Sequence, residues 1–255
     1  MAENNRREFI AKCGAGLAGI MAAGKAPAAI VRSLVAANGM GFAGDASGWK
    51  NPYVTNGLIA MWDGEWNAGP GKHDPDATIW KDLVGNRDFT LVAGATWRDD
   101  SIEKLAGANG FAQRSGSMTY STLELVFMRT GGNIAVFSVN NPIYNVWVAG
   151  NPPSFRTGRT SGRTGRLIPQ ILNDVAYHIA FTYIDGYDAT AYKNGSAIEN
   201  INSPDYYNFA FSVGGFNIER YMNGRFYSIR IYDRTLTADE IAHNYAIDKE
   251  RFNLP

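Results

Sequence analysis

Few side chains of this 255-residue chain have the types and spacing that catalysis requires. Its three histidines, His73, His178 and His243, are scattered, and no His-Glu-x-x-His pattern or cysteine partner completes a zinc site. Glu124 is the one glutamate in a strongly strand-like run, and no acidic residue follows it two or four positions later. Retaining glycoside hydrolysis needs two carboxyl groups about 5 Å apart. The sequence therefore predicts a protein that is not an enzyme.

A calcium site is a second possibility, in the segment that follows the first apolar run. Asp63 and Glu65 precede a glycine-rich stretch at residues 67–72, and His73, Asp74 and Asp76 follow it. Hard cations bind several carboxylate and carbonyl oxygens that converge on one point. Asp74 and Asp76 are accordingly the candidate calcium ligands. A solvated acidic loop without metal is the competing interpretation, because the sequence lacks a dense series of ligands.

Aromatic side chains in predicted loops are candidates for contact with a sugar. An aromatic ring can lie against the apolar face of a pyranose while polar neighbours bind its hydroxyl groups. Trp66 and His73 flank the acidic loop, and Tyr206 and Tyr207 follow a Ser-Pro-Asp turn, so these four are the predicted ligand-binding residues. Packing is the competing interpretation for the aromatic residues. The tryptophans predicted to lie in the core are Trp62, Trp80, Trp97 and Trp147.

An arginine-rich segment at residues 155–166 is the last candidate site. It contains four arginines and no acidic residue. Guanidinium groups at this spacing, Arg159 and Arg163 in particular, could bind a sulfated or carboxylated glycan, or phosphate. The alternative is an exposed strand edge or hairpin whose charges discourage pairing with another chain.

Short β-branched and aromatic runs separated by turn residues make up most of the chain, which predicts an all-β sandwich. In residues 175–183 bulky side chains alternate with small or polar ones. Asp185-Gly186 and Asn194-Gly195 then supply tight hairpin turns, so a three-stranded meander is expected over residues 175–199. The predicted strands are 57–62, 89–92, 119–128, 133–139, 144–148, 175–183, 188–192 and 225–232.

One convincing helix is predicted near the C-terminus. Thr237 and Glu240 form a capping box, in which each side chain binds the backbone N–H of the other residue. Leu236 and Ile241 are placed as the accompanying hydrophobic staple. We expect a helix over residues 238–249 that packs Ile241 and Tyr245 onto the sandwich.

The N-terminal residues 1–37 differ from the rest in charge. They carry five basic and two acidic residues, which leaves 19 basic and 22 acidic residues for the remainder and no basic excess of the kind that duplex nucleic acid binding requires. Arg6-Arg7 with the following apolar residues resembles a twin-arginine export signal, and residues 35–37 offer a cleavage site of small residues. The competing interpretation is a helical or flexible N-terminal leader of a protein that stays inside the cell or belongs to a larger particle. The apolar run is too short for a stable transmembrane anchor, which needs about 20 residues. After cleavage the chain would contain no cysteine.

Three stretches in consistent order resemble the concanavalin A-like, laminin G-type superfamily. They cover roughly residues 55–252 and comprise an opening strand with a tryptophan-containing turn (57–63, 78–86 and 95–97), a hairpin (177–183 with 191–195) and a closing strand with its helix (224–234 with 236–241). The resemblance implies a two-sheet antiparallel jelly roll. Its hydrolases carry their carboxylates as Glu-x-Asp on one strand, and no Glu-x-Asp occurs here. Calcium held by loop oxygens is also a property that the resemblance implies.

These observations predict an export signal at 1–37, a linker at 38–54 and a concanavalin A-like domain at 55–255. The predicted function is a noncatalytic module that binds carbohydrate or another extracellular surface, in the periplasm, on the cell surface or secreted. The first alternative is a structural subunit of a cell-surface or phage-like assembly, with protein partners and an intracellular or virion location. The second alternative is a glycan hydrolase.

Overall fold

The computed structural model describes residues 50–91, 94–104, 112–131, 134–139, 145–149, 154–159, 163–183, 188–202, 212–218 and 223–255. Within them the chain forms sixteen strands and one α-helix. The elements are β1 (Leu58–Asp63), β2 (Ile79–Trp80), β3 (Phe89–Leu91), β4 (Ala95–Trp97), β5 (Ile102–Lys104), β6 (Ala112–Thr119), β7 (Thr122–Gly131), β8 (Ile134–Val139), β9 (Asn145–Ala149), β10 (Ser154–Arg159), β11 (Arg163–Pro169), β12 (Ala176–Tyr183), β13 (Asp188–Lys193), β14 (Ser196–Asn202), β15 (Ser212–Ile218), β16 (Asn223–Tyr232) and α1 (Ala238–Phe252).

The described strands form two antiparallel sheets of eight strands each. The first sheet has the order β14, β13, β12, β7, β16, β5, β4, and β1 also pairs with β16. The second sheet has the order β11, β10, β9, β8, β15, β6, β3, β2. This is the predicted all-β sandwich with one C-terminal helix. No helix among the described residues has the length and apolar character needed to cross a membrane.

Most predicted strands coincide with observed ones to within about two residues, but the prediction of one strand over 119–128 is wrong. The structure divides this stretch at Tyr120 and Ser121, between β6 of the second sheet and β7 of the first. The N–H of Ser121 donates to the carbonyl of Tyr232 at 2.8 Å, where the chain enters the first sheet. Tyr120 and Thr122, which favour strands and are both buried, lie on either side of Ser121, so the sequence pattern does not mark the change of sheet.

Side chains of both sheets form an apolar core between them. Leu125 and Phe127 of β7 pack in the same cluster as Trp80 of β2 and Phe89 of β3, and all four are fully buried. Because side chains alternate along a strand, the intervening residues of β7, such as Glu124, lie on the opposite face of the first sheet. That outer face is the one covered by α1.

The tryptophans predicted to lie in the core do so where the structure describes them. Trp62 and Trp80 are 0% exposed and Trp97 is 8% exposed. The indole N–H of each donates to a backbone carbonyl at 2.8–2.9 Å, which satisfies the polar edge of a buried ring. The side chain of Trp147 lies outside the described residues.

The predicted meander is present as β12, β13 and β14. Asn194 and Gly195 join the last two strands with φ angles of 51° and 76°, the positive values that a tight hairpin turn requires. A side chain at Gly195 would place its Cβ 2.6 Å from the ring of Tyr245 on α1. The turn therefore lies directly against the helix. The other predicted turn, Asp185-Gly186, lies outside the described residues.

The C-terminal helix begins as predicted and extends three residues further. Thr237 and Glu240 form the capping box, and Asn253 ends the helix in a left-handed conformation. Leu236 and Ile241 of the hydrophobic staple are buried. The side of α1 that faces the sheet also buries polar residues, which the apolar pattern did not predict.

Candidate functional site

A chain of buried polar side chains joins the outer face of the first sheet to α1 and continues to the loop after β1. We call it the junction network; its members are Tyr53, Asp63, Glu65, Glu124, His178, Arg230, Asn244, Asp248 and Arg251. It was not predicted from the sequence. It positions the loop that carries Trp66, His73, Asp74 and Asp76, half of the predicted site residues.

The centre of the junction network is an arginine held by two carboxylates. Glu124 of β7 and Arg230 of β16 are direct cross-strand partners, and the Arg230 Nε donates to Glu124 at 2.7 Å. The two terminal nitrogens of Arg230 donate to Asp248 of α1 at 3.0 and 2.5 Å. All three side chains are completely buried. Removing one partner would leave a charge buried without compensation, so this triad fixes the helix on the sheet.

His178 and Asn244 complete the hydrogen bonding of Glu124. Asn244 Nδ2 lies 2.9 Å from one carboxylate oxygen, and His178 Nε2 lies 3.3 Å from the other. Among the described residues, the buried Nδ1 of His178 has no hydrogen-bond partner. A proton on Nε2 faces Glu124, whereas no acceptor among the described residues lies at Nδ1.

The protonation state of Glu124 bears on the predicted absence of catalysis. Burial raises the pKa of Glu124, but the charge of Arg230 and hydrogen bonds from His178 and Arg230 outweigh burial and lower the pKa to about 2. Burial lowers the pKa of Arg230, yet Asp248 and Glu124 hold it well above its ordinary value. Glu124 is therefore held as a carboxylate with both oxygens engaged, whereas the general acid of glycoside hydrolysis has a raised pKa. The absence of catalysis stays a prediction.

Arg251 carries the junction network from α1 to the loop after β1. Its guanidinium donates to both carboxylate oxygens of Asp63 at 2.7 and 2.9 Å and to Glu65 at 2.8 Å. It also donates to the hydroxyl oxygen of Tyr53 at 2.6 Å, and that hydroxyl donates to Asp248 at 2.6 Å. Tyr53 is buried although it lies in the segment predicted as a linker. Burial raises the pKa of Asp63, and Arg251 opposes this increase.

The same guanidinium orients Trp66. Its central carbon lies 3.9 Å from the centroid of the Trp66 ring, within cation–π distance. Trp66 is half-buried and packs beside the cluster that contains Tyr53, Met61 and Ile241. A partly exposed indole is therefore held in one orientation next to the loop of residues 67–76.

That loop is tied down by a buried amide. Asn67 Nδ2 donates to the carbonyl of Asp74 at 2.7 Å, and the Asp74 N–H donates to Asn67 Oδ1 at 2.8 Å. His73 Nδ1 lies 3.1 Å from the carbonyl of Gly64. Residues 71–76 are all exposed. The loop thus presents its imidazole and carboxylates to solvent from a backbone that is fixed at both ends.

The predicted calcium ligands were tested against this geometry. Asp74 and Asp76 are exposed, and one Asp74 oxygen accepts the N–H of Asp76 at 2.9 Å. Over the residues that the structure describes, no three His, Cys, Asp or Glu side chains converge as a metal site would require. Calcium takes six to eight oxygen ligands, backbone carbonyls among them, so Asp74 and Asp76 as calcium ligands stay a prediction.

The predicted binding residues fall into separate regions. Trp66, His73, Asp74 and Asp76 lie on one loop beside the helix, whereas Arg159 and Arg163 lie on β10 and β11 of the second sheet. Tyr206 and Tyr207 lie outside the described residues.

A helical pattern in the sequence could have revealed part of the junction network. The buried residues of α1 are Ile241, Asn244, Asp248 and Phe252, which follow one another at spacings of three or four. Those spacings define one helix face. Two polar residues on the apolar face of a helix indicate that the opposing sheet supplies polar partners. The sequence pattern around Asn244 cannot identify its partner Glu124, because Glu124 lies 120 residues earlier in the chain.

Comparison with family models matches residues 111–242 to Laminin_G_3, described as the concanavalin A-like lectin/glucanases superfamily. This segment is just over half of the chain. A comparison with curated proteins returned no match.

Several solved structures share the fold. Trypanosoma rangeli sialidase in complex with sialic acid matches with a TM-score of 0.58 and 14% identity over 83% of this chain and 36% of that chain. Domain 4 of AbnA, an extracellular arabinanase from Geobacillus stearothermophilus solved with arabinotriose, matches with a TM-score of 0.51 and 18% identity over 74% of this chain and 98% of that chain. The binding domain of botulinum neurotoxin serotype D matches with a TM-score of 0.56 and 9% identity over 74% of this chain and 51% of that chain.

Because the sequence identities are low, these structural similarities establish the fold alone. The chain spans about a third of the length of the sialidase it matches, and nearly the whole of the arabinanase domain. The two-sheet antiparallel architecture and the family match agree. The chain belongs to the concanavalin A-like lectin/glucanases superfamily.

Proposed function

We propose that this protein is a noncatalytic carbohydrate-binding module that acts outside the cytoplasm. The observation that carries the proposal is the position of Trp66, a partly exposed indole held by Arg251 beside the exposed loop of residues 71–76. A fixed aromatic surface next to hydrogen-bonding groups is the arrangement that binds a pyranose or furanose ring at small entropic cost. His73, Asp74 and Asp76 supply the polar groups.

The neighbouring structures support this proposal at the level of fold. The arabinanase domain has nearly the same extent as the region it matches and was solved with arabinotriose. The absence of the Glu-x-Asp pattern and the engagement of both Glu124 oxygens support a noncatalytic role. The twin-arginine-like segment at residues 1–37 supports export, to the periplasm, the cell surface or the medium.

Binding of the full chain to an array of neutral and acidic oligosaccharides tests the proposal, with and without calcium. We expect binding to at least one glycan, and at least a tenfold weaker affinity for Trp66→Ala. Trp66→Phe keeps an aromatic ring, so its affinity for the glycan should fall less than that of Trp66→Ala. Leu172→Ala serves as the matched control, because Leu172 is 54% exposed on a loop of another region.

Two different results would contradict the proposal. If no glycan binds at millimolar concentration, the module is not a carbohydrate-binding one. If glycans bind but Trp66→Ala and Leu172→Ala behave alike while both remain folded by thermal denaturation, the site is elsewhere. N-terminal sequencing of the protein recovered from the cell exterior tests export, and recovery of an intact chain only in the cytoplasm would contradict it.

A further inference from the structure

A short segment that precedes the first strand is bound to helix α1. We call residues 51–56 the strap. The carbonyl of Pro52 lies 3.3 Å from His243 Nε2, and the N–H of Val54 donates to Asn244 Oδ1 at 3.0 Å. The sequence predicts a linker for most of the strap, whereas the structure fixes it against the helix.

Tyr53 is the residue by which the strap reaches the interior. Its side chain is 3% exposed, and Trp66 packs against the apolar cluster to which it belongs. The guanidinium carbon of Arg230 lies 3.9 Å from the centroid of the Tyr53 ring, within cation–π distance. The hydroxyl donates to Asp248 and accepts a hydrogen bond from Arg251, both at 2.6 Å. Tyr53 thus joins the buried triad to Arg251.

The neighbours of the Tyr53 hydroxyl fix the direction of its single proton. Arg251 can only donate and the carboxylate of Asp248 can only accept, so the proton lies toward Asp248 and the oxygen receives Arg251. Burial raises the pKa of Tyr53 well above its ordinary value, although the charge of Arg251 opposes this increase, so the hydroxyl keeps its proton. The hydroxyl is therefore a fixed bridge between an anion and a cation.

Arg251 depends on Tyr53 for its link to the strap. Its other described hydrogen bonds go to Asp63 and Glu65, which lie within three residues of Trp66 on the same segment. Those bonds would move together with that segment, whereas the bond to Tyr53 ties the guanidinium to a different part of the chain. The guanidinium carbon lies 3.9 Å from the centroid of the Trp66 ring, so a change in its position alters the surface on which the indole rests.

We propose that Tyr53 is a positioning residue for glycan binding, through which the docked strap holds Trp66 in its binding orientation. The inference rests on the proposed function, in which Trp66 is the sugar-binding ring, and adds a buried residue that acts on that ring through Arg251. A ring that is held in place before binding loses less conformational freedom when the sugar binds. Loosening the strap should therefore weaken affinity without removing any group that contacts the sugar.

Tyr53→Phe in the full chain tests the proposal, because it removes the hydroxyl and keeps the ring. We expect an affinity about fivefold weaker than that of the parent chain, measured with arabinotriose and with the array of neutral and acidic oligosaccharides. Asn51→Ala is a milder second variant with the same expected direction, since it removes the side chain that accepts the Tyr53 N–H at 3.0 Å.

The fluorescence of Trp66 reports its orientation without any glycan. Its contribution is obtained by subtracting the spectrum of the same protein with Trp66→Phe added. In Tyr53→Phe we expect this contribution to shift in wavelength and to be quenched more strongly by acrylamide than in the parent chain. Tyr177→Phe is the matched control, because Tyr177 is also buried, at 4% exposed, and its hydroxyl accepts the N–H of Leu172 in the core between the sheets.

Three results would overturn the proposal: unchanged Trp66 fluorescence and quenching in Tyr53→Phe, equal changes in Tyr177→Phe, or glycan affinities of Tyr53→Phe and Asn51→Ala equal to that of the parent chain. If no oligosaccharide binds the parent chain, the proposed function fails, and the fluorescence comparison still decides whether Tyr53 orients Trp66. Thermal unfolding shows that each variant is folded at the temperature of measurement.

Discussion

Arg251 binds Asp63 through two hydrogen bonds of 2.7 and 2.9 Å, and in doing so couples the end of the last helix to the end of the first strand. The same side chain lies over the ring of Trp66. The orientation of the proposed sugar-binding ring therefore depends on residues 188 positions apart in the sequence.

Replacement of this arginine tests that coupling. Arg251→Gln leaves Asp63 buried without its cation, and we expect a loss of about 3 kcal/mol in the free energy of unfolding. Urea denaturation measures it. Lys249→Gln on the exposed side of the same helix should change stability by less than about 0.5 kcal/mol. Equal losses in the two variants would show that Arg251 acts only as a surface charge.

The buried triad should be more sensitive still. Glu124→Gln removes the charge that faces Arg230, and we expect a loss of about 3–5 kcal/mol, because the guanidinium remains buried. Chemical denaturation provides the measurement, and Glu250→Gln, at an exposed position of α1, is the control. A neutral effect of Glu124→Gln would mean that Asp248 alone compensates Arg230.

Stability should also depend on acid in a defined range. The pKa of Glu124 is lowered to about 2 in the folded protein from an ordinary value near 4.5, so its contribution is complete above about pH 4.5 and is lost as the pH falls toward 2. Unfolding free energies measured across this range should decline for the parent chain and decline less steeply for Glu124→Gln. Burial raises the pKa of Asp63, so protonation of Asp63 increases the free energy of unfolding as the pH falls and opposes the effect of Glu124. Parallel pH profiles for the two proteins would contradict the assignment to Glu124.

The contact between the meander and the helix allows a steric test. Gly195→Ala introduces a Cβ 2.6 Å from the Tyr245 ring at a φ of 76°, and we expect destabilisation of about 1–3 kcal/mol. Gly195→Ala in a Tyr245→Ala background is the comparison, because the backbone strain at φ 76° is the same there but the ring that the added Cβ would meet is gone. Gly195→Ala should lower the melting temperature less in that background than in the parent chain, and equal decreases would show that Tyr245 moves aside.

The sequence by itself determined the local elements. The alternation in residues 175–183, the turn at Asn194-Gly195 and the capping box of Thr237 and Glu240 each depend on residues close in the chain, and the structure confirms them. Their order along the chain was also enough to indicate the superfamily.

Only the tertiary structure decided which charges meet. Glu124, Arg230 and Asp248 come from two strands and a helix, and nothing local to any of them indicates the other two. Strand register and the docking of a helix are set by burial over the whole domain, because a long-range pair forms only once every intervening element has been placed. The sequence therefore shows which residues are charged, whereas the fold determines which partner each charged residue contacts.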